Sequence, residues 1–235
     1  RDRLDISRGI MGTAAGPNLV TDNLILYLDA ANTNSYSNSG TTWNDLSGNG
    51  YDATLTNGPT YNSDNGGYFI FDGTNDHAVI DSSFQVSTSG TYSFEAWIFK
   101  TSTSVNNAGM LISGGYGGDV DGIIISTEDY ATSGTIRVLT TGGTCAAVYY
   151  NGVSQTLRGD SIGTNETFNL NEWIHIAVTG ITINNTDGAA HHIGQNNNNT
   201  NEFGGRISNI KLYDRTLTAA EVKQNFNKLR RRFGI

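Results

Sequence analysis

Short apolar runs with a period of two residues, separated by turn-forming clusters, constrain the fold of this 235-residue chain more than any other feature. Apolar side chains alternate in this way over residues 24–28, 68–71, 94–98 and 136–138. Such alternation is typical of antiparallel strands that bury one face. Clusters of Gly, Asn, Ser and Asp punctuate the chain between these runs, as tight turns require. The pattern predicts an all-β, two-sheet antiparallel jelly-roll sandwich.

Two local irregularities in the strands can be predicted from spacing alone. Ile207, Ile210 and Leu212 share one face only if an extra residue is accommodated between them, which predicts a bulge near residues 208–209. The run Tyr-Tyr-Asn-Gly-Val at 149–153 predicts a tight hairpin around its Asn-Gly pair.

A short helix is predicted directly after the last strand. Thr218 and Glu221 match the Thr-x-x-Glu capping box, and an apolar stripe follows with helical spacing at Val222, Phe226 and Leu229. We therefore divide the chain into an N-terminal arm over residues 1–20, a β-sandwich over 21–215, and a C-terminal helix with a basic tail over 216–235 that packs on the sandwich.

The charge of the chain is unevenly distributed. The net charge is −8, but residues 211–235 hold seven basic and two acidic side chains, so that segment carries +5 and residues 1–210 carry −13. An acidic body argues against nucleic acid as the main partner. The basic residues at the two ends are either solvated cations or docking groups for an acidic neighbouring subunit. The candidate docking residues are Arg1, Arg3, Arg8, Lys228, Arg230, Arg231 and Arg232.

Other bulk features narrow the class of protein. No run of 18 apolar residues occurs, so we expect no membrane span. Cys145 is the only cysteine, which leaves no intrachain disulfide to stabilise the fold. Stability must therefore come from packing, and the 23 aromatic residues, made up of 3 Trp, 11 Tyr and 9 Phe, suffice to fill a core.

Six segments carry a family resemblance, and together they extend over nearly the whole chain. They include Leu-Ile-Leu-Tyr-Leu-Asp-Ala at 24–30, Phe-Asp-Gly-Thr-Asn-Asp at 71–76, Glu-Trp-Ile-His-Ile-Ala-Val-Thr at 172–179 and the closing run 203–222, with further matches at 42–50 and 92–98. These segments resemble laminin-G-like domains of the concanavalin A-like lectin/glucanase superfamily. The family's Tyr-Val-Asn-Gly hairpin after the Trp173 strand is replaced here by residues 181–188, so the strand order across 140–195 stays open.

Details at 26–30, 40–43, 58–61 and 225–235 resemble the laminin-G-like domains carried by tailed bacteriophages. That resemblance implies a virion surface protein, as a capsid decoration, head fibre or tail-associated part. Its partners would be other virion proteins or copies of itself, and host surface glycans would be a further ligand. The alternative is a carbohydrate-binding, lectin-like module of a bacterial secreted or cell-surface protein, which would be extracellular.

The sequence lacks the features that two kinds of hydrolase active site require. Residues 159–163 match Gly-x-Ser-x-Gly, but a nucleophile elbow requires a following helix, and residues 164–170 have a strand or loop pattern. The glucanase branch of the resembled superfamily carries Glu-x-Asp-x-x-Glu on one strand, whereas Glu95 is the only acid of its predicted strand here. We therefore expect a protein that is not an enzyme.

Two kinds of binding site have candidate residues. Hard oxygen ligands at short spacing in Gly-bent loops suit calcium, although Asp and Asn also build turns by bonding to their own backbone. The calcium candidates are Asp45, Asn49, Asp52, Asp72 and Asp76. Sugars stack on loop aromatics, although most aromatic side chains of a β-sandwich belong to its core. The glycan candidates are Trp43, Tyr61, Tyr116 and Tyr130.

Overall fold

The computed structural model of the chain describes residues 17–101, 108–114, 123–130, 133–138, 143–158, 164–183, 191–196 and 201–235. Within these residues, two antiparallel sheets contain eight strands each. Helix α1 (Ala219–Leu229) and the 3₁₀ helix Arg230–Phe233 follow the last strand. The predicted two-sheet sandwich with a short C-terminal helix is confirmed.

Sheet A consists, in spatial order, of β12 (Val153–Ser154), β11 (Ala147–Tyr150), β14 (Trp173–Ile181), β7 (Tyr92–Lys100), β16 (Gly204–Tyr213), β5 (Tyr68–Asp72) and β4 (Thr60–Asn62). In addition, β1 (Leu24–Asp29) pairs with the second half of β16. Sheet B consists of β13 (Phe168–Asn169), β10 (Ser133–Val138), β9 (Ile124–Tyr130), β8 (Ala108–Ser113), β15 (His192–Ile193), β6 (His77–Ile80), β3 (Ala53–Thr56) and β2 (Thr42–Trp43).

The main core lies between the two sheets. Sheet A contributes fully buried side chains from the centre of its inner face, among them Phe94, Ile176 and Leu212. Sheet B contributes others, among them Ile80 and Ile125. The alternation in the sequence therefore marks residues that face the opposite sheet, and burial of these side chains is the main driving force for the fold.

Both predicted irregularities are present. The register of β16 against β7 shifts between Ile207 and Asn209, which is the predicted bulge. Because of that shift, Ile207 and Ile210 are both fully buried on the inner face. At the predicted hairpin, β11 pairs with β12 through Asn151 and Gly152, whose φ angles are 51° and 72°. A two-residue turn with positive φ at both positions matches the twist of the strands that it joins.

Helix α1 packs on the outer face of sheet A. The predicted capping box is present, since Thr218 Oγ1 accepts from the Glu221 backbone N–H at 3.3 Å and Glu221 Oε2 accepts from the Thr218 N–H at 2.8 Å. The Phe226 ring lies 5.8 Å from the Trp97 ring, and the Phe233 ring lies 4.1 Å from it. In the described part of the chain, no helix combines the length and apolar character needed to cross a membrane.

Candidate functional site

The outer face of sheet A has a covered part and an open part. Helix α1 and the 3₁₀ helix Arg230–Phe233 cover its centre, where Trp97 is fully buried. Beside the 3₁₀ helix, four residues on adjacent strands stay at least partly exposed: Ile70, Arg206, Phe99 and Trp173. The register pairs Ile70 with Arg206, Arg206 with Phe99 and Phe99 with Trp173. Since directly paired residues point to the same side of a sheet, these four form one row, which we call the outer row.

A cleft of about 280 Å³ opens at the Trp173 end of the outer row. The hairpin between β11 and β12 forms one wall, and the turn between β13 and β14 forms the other. Its lining residues are Tyr150, Asn151, Gln155, Thr167, Phe168, Asn169, Glu172, Trp173 and Ile174. We call it the Trp173 cleft. It lies where the edge of sheet A meets β13, the edge strand of sheet B.

The Trp173 cleft combines one aromatic ring with exposed or partly exposed amide and carboxylate groups. The Trp173 ring packs against Phe233 at 4.7 Å, Tyr68 at 5.4 Å and Phe99 at 5.7 Å between ring centroids. Asn169 Nδ2 donates to Glu172 Oε2 at 3.3 Å, which orients the carboxylate at the rim. An amphipathic aromatic ring beside hydrogen-bonding side chains suits a ligand with an apolar face and several hydroxyl groups.

The floor of the cleft is rigid because its backbone and side chains are hydrogen-bonded. Asn151 Oδ1 accepts from the His175 backbone N–H at 2.9 Å, so the hairpin is fixed to β14. The hydroxyl of Tyr150 lies 2.7 Å from Thr164 Oγ1 and accepts from the Ile136 N–H at 3.0 Å. Burial raises the pKa of Tyr150, so its phenol stays neutral and keeps both contacts at ordinary pH.

A polar cluster is buried beneath α1 on the same face. Glu95, His175 and Lys211 are fully inaccessible to solvent. Lys211 Nζ lies 3.5 Å from Glu95 Oε2, His175 Nε2 lies 3.6 Å from Glu95 Oε1, and Asn225 Nδ2 donates to Glu95 Oε2 at 2.8 Å. Burial raises the pKa of Glu95, and the charge of Lys211 partly opposes this. Burial and then Lys211 lower the pKa of His175 well below its ordinary value. The cluster joins α1 to the sheet and is closed to a substrate.

The two predicted glycan residues whose side chains the structure describes belong to the core or pack against it. Trp43 is fully buried, with its ring 4.9 Å from Phe69, so it belongs to the core and cannot serve as an exposed sugar platform. Tyr61 packs on Tyr36 at 5.1 Å and adjoins the main core. Tyr116 and the side chain of Tyr130 lie outside the described residues.

The predicted calcium residues form two separate turns whose oxygens already accept hydrogen bonds from the protein. Asp45 Oδ1 accepts from the Tyr27 N–H at 2.8 Å and the Ser47 N–H at 2.9 Å. Asp52 Oδ1 accepts from the Asp45 N–H at 2.8 Å. Asn49 Nδ2 donates to the Ile25 carbonyl at 3.1 Å. These contacts are those of a structural loop.

The second turn has the same character. Asp72 Oδ1 accepts from the Thr74 N–H at 2.8 Å, and Asp76 Oδ2 accepts from the Asp72 N–H at 3.0 Å. Within the described ranges, no three His, Cys, Asp or Glu side chains are grouped as a metal ion would require. Of the two interpretations of these residues, turn formation accounts for the observed contacts.

The predicted docking residues that the structure describes divide into two groups. Lys228, Arg230 and Arg231 are exposed on α1 and the 3₁₀ helix. Arg232 instead points inward, where its Nη1 lies 3.0 Å from Asp29 Oδ1 and its Nε donates to the Asn65 carbonyl at 2.7 Å. Arg232 therefore anchors the C-terminus to the sandwich, and its docking assignment stays a prediction. Arg1, Arg3 and Arg8 lie outside the described residues, as do the Gly-x-Ser-x-Gly residues 159–163.

Sequence reasoning missed the residues of the Trp173 cleft. Trp173 follows the turn residues 170–172 directly, so the sequence indicates that it begins a strand but does not reveal that its side chain is partly exposed. The available signal was the Asn-Gly hairpin at 151–152, which brings Asn151 and Gln155 to the edge of the sheet. The position of Phe233 against Trp173 depends on contacts between distant parts of the chain, which no local pattern reveals.

A second cleft, of about 300 Å³, opens beside the Asp45 loop. Its aromatic wall consists of Tyr51, Phe84 and Tyr92, and its polar residues include Asn49 and Asp214. The Tyr51 ring meets the Phe84 ring edge-on at 5.2 Å, so these two rings are packed against each other.

No family model matches this sequence, and no curated protein matches it. Solved structures do share its fold. The binding domain of Paraclostridial Mosquitocidal Protein 1 has a TM-score of 0.56 and 19% identity over 88% of this chain and 52% of that one. The Botulinum Neurotoxin Type G receptor binding domain has a TM-score of 0.52 and 14% identity over 87% of this chain and 51% of that one.

Trypanosoma rangeli sialidase in complex with sialic acid has a TM-score of 0.52 and 14% identity over 89% of this chain and 33% of that one. This chain thus spans about half the length of the two toxin binding domains and a third of the sialidase. At such identities the likeness establishes the architecture alone. The chain is therefore similar to these proteins in its β-sandwich fold.

Proposed function

We propose that this chain is a non-enzymatic surface module of a tailed-bacteriophage particle, and that it binds a host glycan in the Trp173 cleft. The observation that carries the glycan proposal is the cleft itself. It presents the Trp173 ring beside Asn151, Gln155, Asn169 and Glu172 at the edge of the sandwich. The virion proposal rests on the sequence resemblance to laminin-G-like domains of tailed phages.

The first described residues are bonded to the C-terminal helix. Residues 17–22 lie along α1, where Gln224 Nε2 donates to the Asn18 carbonyl at 2.8 Å and the Val20 N–H donates to Asn225 Oδ1 at 2.8 Å. An attachment through the N-terminal arm would therefore begin beside α1.

The second candidate is a lectin-like module of a bacterial secreted or cell-surface protein. The observation that favours it is the shared fold with two toxin domains described as binding domains, one of them receptor binding. The same cleft would serve this function, so the two candidates differ in location and not in chemistry.

Glycan binding is tested by screening the purified full chain on an array of bacterial surface oligosaccharides. We expect binding that is abolished in Trp173→Ala and weakened about tenfold in the double variant Gln155→Ala/Glu172→Ala, which removes two polar groups of the rim. The double variant matters because Trp173 also packs on Phe233, whereas Gln155 and Glu172 lie at the surface.

Gln85→Ala is the matched control, since Gln85 is an exposed amide in the other cleft. Binding that survives both Trp173→Ala and the double variant would contradict the proposed site. A wild-type chain that binds no oligosaccharide on the array would contradict the glycan function.

Location is tested by quantitative mass spectrometry of purified phage particles, with this chain counted against the major capsid protein. Hundreds of copies would indicate capsid decoration, and a few copies a tail or vertex fibre. Absence from particles would contradict the virion proposal and favour the secreted or cell-surface module.

Deletion of residues 1–16 and the triple variant Lys228→Gln/Arg230→Gln/Arg231→Gln then test which end of the chain docks on the particle. Both changes leave the anchor Arg232 in place.

A further inference from the structure

The outer row extends the Trp173 cleft into a longer surface. Neighbouring strands in a sheet lie about 4.8 Å apart, so the three steps from Ile70 to Trp173 span about 14 Å. Ile70 is 36% exposed, and Arg206, Phe99 and Trp173 are partly exposed. The row therefore joins directly to the cleft and is long enough to contact more than one sugar of a linear chain.

Arg206 lies in the middle of this row. Aromatic rings hold its guanidinium group in place, and within the described residues its N–H donors are free to bind a ligand. Its Cζ lies 4.3 Å from the centre of the Phe99 ring and 5.2 Å from that of the Tyr68 ring. In the described part of the chain, no carboxylate lies within ion-pair distance of Arg206 and no protein group accepts a hydrogen bond from its side chain. Two other arginines differ, since Arg215 pairs with Glu221 at 2.7 Å and Arg232 pairs with Asp29 at 3.0 Å.

The carboxylates on the same face are engaged elsewhere or lie at the far end of the row. Asp72, two residues beyond Ile70, accepts hydrogen bonds from the backbone of its own turn at Thr74 and Asn75. Glu172 lies at the rim of the Trp173 cleft. A planar guanidinium that aromatic rings hold in place, with its donors open, is suited to a bidentate contact with a planar carboxylate.

Resting on the proposed glycan-binding function, we propose that the ligand is a linear acidic polysaccharide with widely spaced carboxylates. One of its carboxylates pairs with Arg206 while another sugar of the same chain occupies the Trp173 cleft. Arg206 lies about 10 Å from Trp173, since two strand spacings separate them. The ligand must therefore carry a neutral sugar in the cleft, beside Glu172, and a uronic acid farther along the row.

The overall charge favours widely spaced carboxylates over a dense polyanion. The chain carries a net charge of −8, and such a field repels a ligand with several charges on every sugar. Within the outer row and the Trp173 cleft, Arg206 is the one cationic side chain and Glu172 is acidic, so the row offers a charge-assisted contact to one carboxylate. Heavily sulfated polysaccharides should accordingly bind more weakly than uronic-acid polymers that alternate with neutral sugars.

The test uses the full chain on an array that holds neutral, uronic-acid-containing and sulfated oligosaccharides. We expect the strongest ligands to contain uronic acids, and we expect chemical reduction of their carboxyl groups to weaken binding by tenfold or more. Arg206→Gln should weaken binding of the same ligands by about tenfold to a hundredfold. Arg206→Lys should weaken it by less, because a lysine keeps the charge but cannot donate two parallel hydrogen bonds to one carboxylate.

Lys223→Gln is the matched control, since Lys223 is an exposed cation that also lies over an aromatic ring, with its Nζ 4.7 Å from the centre of the Phe226 ring. Thermal unfolding of each variant confirms that the fold is kept. Strongest binding to neutral or sulfated sugars, or an Arg206→Gln variant that binds as the wild type does, would overturn this inference and leave the glycan function standing. Failure of the wild-type chain to bind any sugar would overturn both.

Discussion

At the scale of single residues, the buried cluster beneath α1 carries the largest electrostatic consequences. Glu95 and Lys211 are both fully buried, and their charged atoms lie 3.5 Å apart. A buried ion pair contributes little over an apolar pair of the same shape, because desolvation offsets the attraction. Removing one member of the pair strongly destabilises the fold, because it leaves the other charge buried without a counter-charge.

Replacing Lys211 by Met is therefore expected to lower the free energy of unfolding by about 3–5 kcal/mol. The double variant Glu95→Gln/Lys211→Met should recover most of that loss, because no buried charge is left unbalanced. Urea unfolding of the wild type, both single variants and the double variant forms a complete cycle. A loss in the double variant equal to the sum of the two single-variant losses would show that the pair does not interact.

At the scale of elements, the C-terminal helix is held at its start by its cap and at its end by aromatic packing. Arg215 also binds the capping residue Glu221, with its Nη1 and Nη2 donating to the two carboxylate oxygens at 3.0 and 2.7 Å. These bonds, and those from Thr218, lower the pKa of Glu221 to about 2. The cap thus stays ionised across the ordinary pH range.

Thr218→Ala should lower the free energy of unfolding by about 1 kcal/mol, because the N–H of Glu221 loses its side-chain acceptor. Thr216→Ala is the control, since Thr216 is exposed two positions earlier and only its carbonyl is engaged, by Arg215 Nη1. Thermal unfolding of the two variants measures the difference. An equal shift in both would mean that the cap does not stabilise the helix.

The elements could be predicted from the sequence because their causes are local. The capping box requires only Thr218 and Glu221 three residues apart, and the bulge follows from the spacing of Ile207 and Ile210. The candidate site could not be predicted, because its exposure depends on where the last residues of the chain fold. Arg232 binds Asp29 across 203 positions of sequence, and that contact places Phe233 against Trp173.

At the scale of the whole molecule, buried histidines make stability depend on pH. Burial lowers the pKa of His175 well below its ordinary value and that of His191 to about 4, and it also lowers the pKa of His192. A group whose folded pKa is lowered stabilises the fold above its unfolded pKa. That stability is lost as the pH falls, because the unfolded chain then takes up the proton first.

Glu95 acts in the opposite direction. Its pKa is raised by burial, so the folded state binds its proton more readily than the unfolded state does, and this contribution grows as the pH falls. As the pH falls from about 6.5 to 4.5, the three histidines therefore favour the unfolded state, and Glu95 partly opposes them.

We therefore expect the free energy of unfolding, measured in urea, to fall from pH 6.5 to pH 4.5. In Glu95→Gln the fall should be steeper, because the opposing group is gone. NMR titration of the folded chain provides an independent check, in which the ring signals of His175 and His191 stay in the neutral form at pH 5.5. Titration of these rings near pH 6.5, or a stability that does not change over this range, would show that the histidines are not desolvated as their positions require.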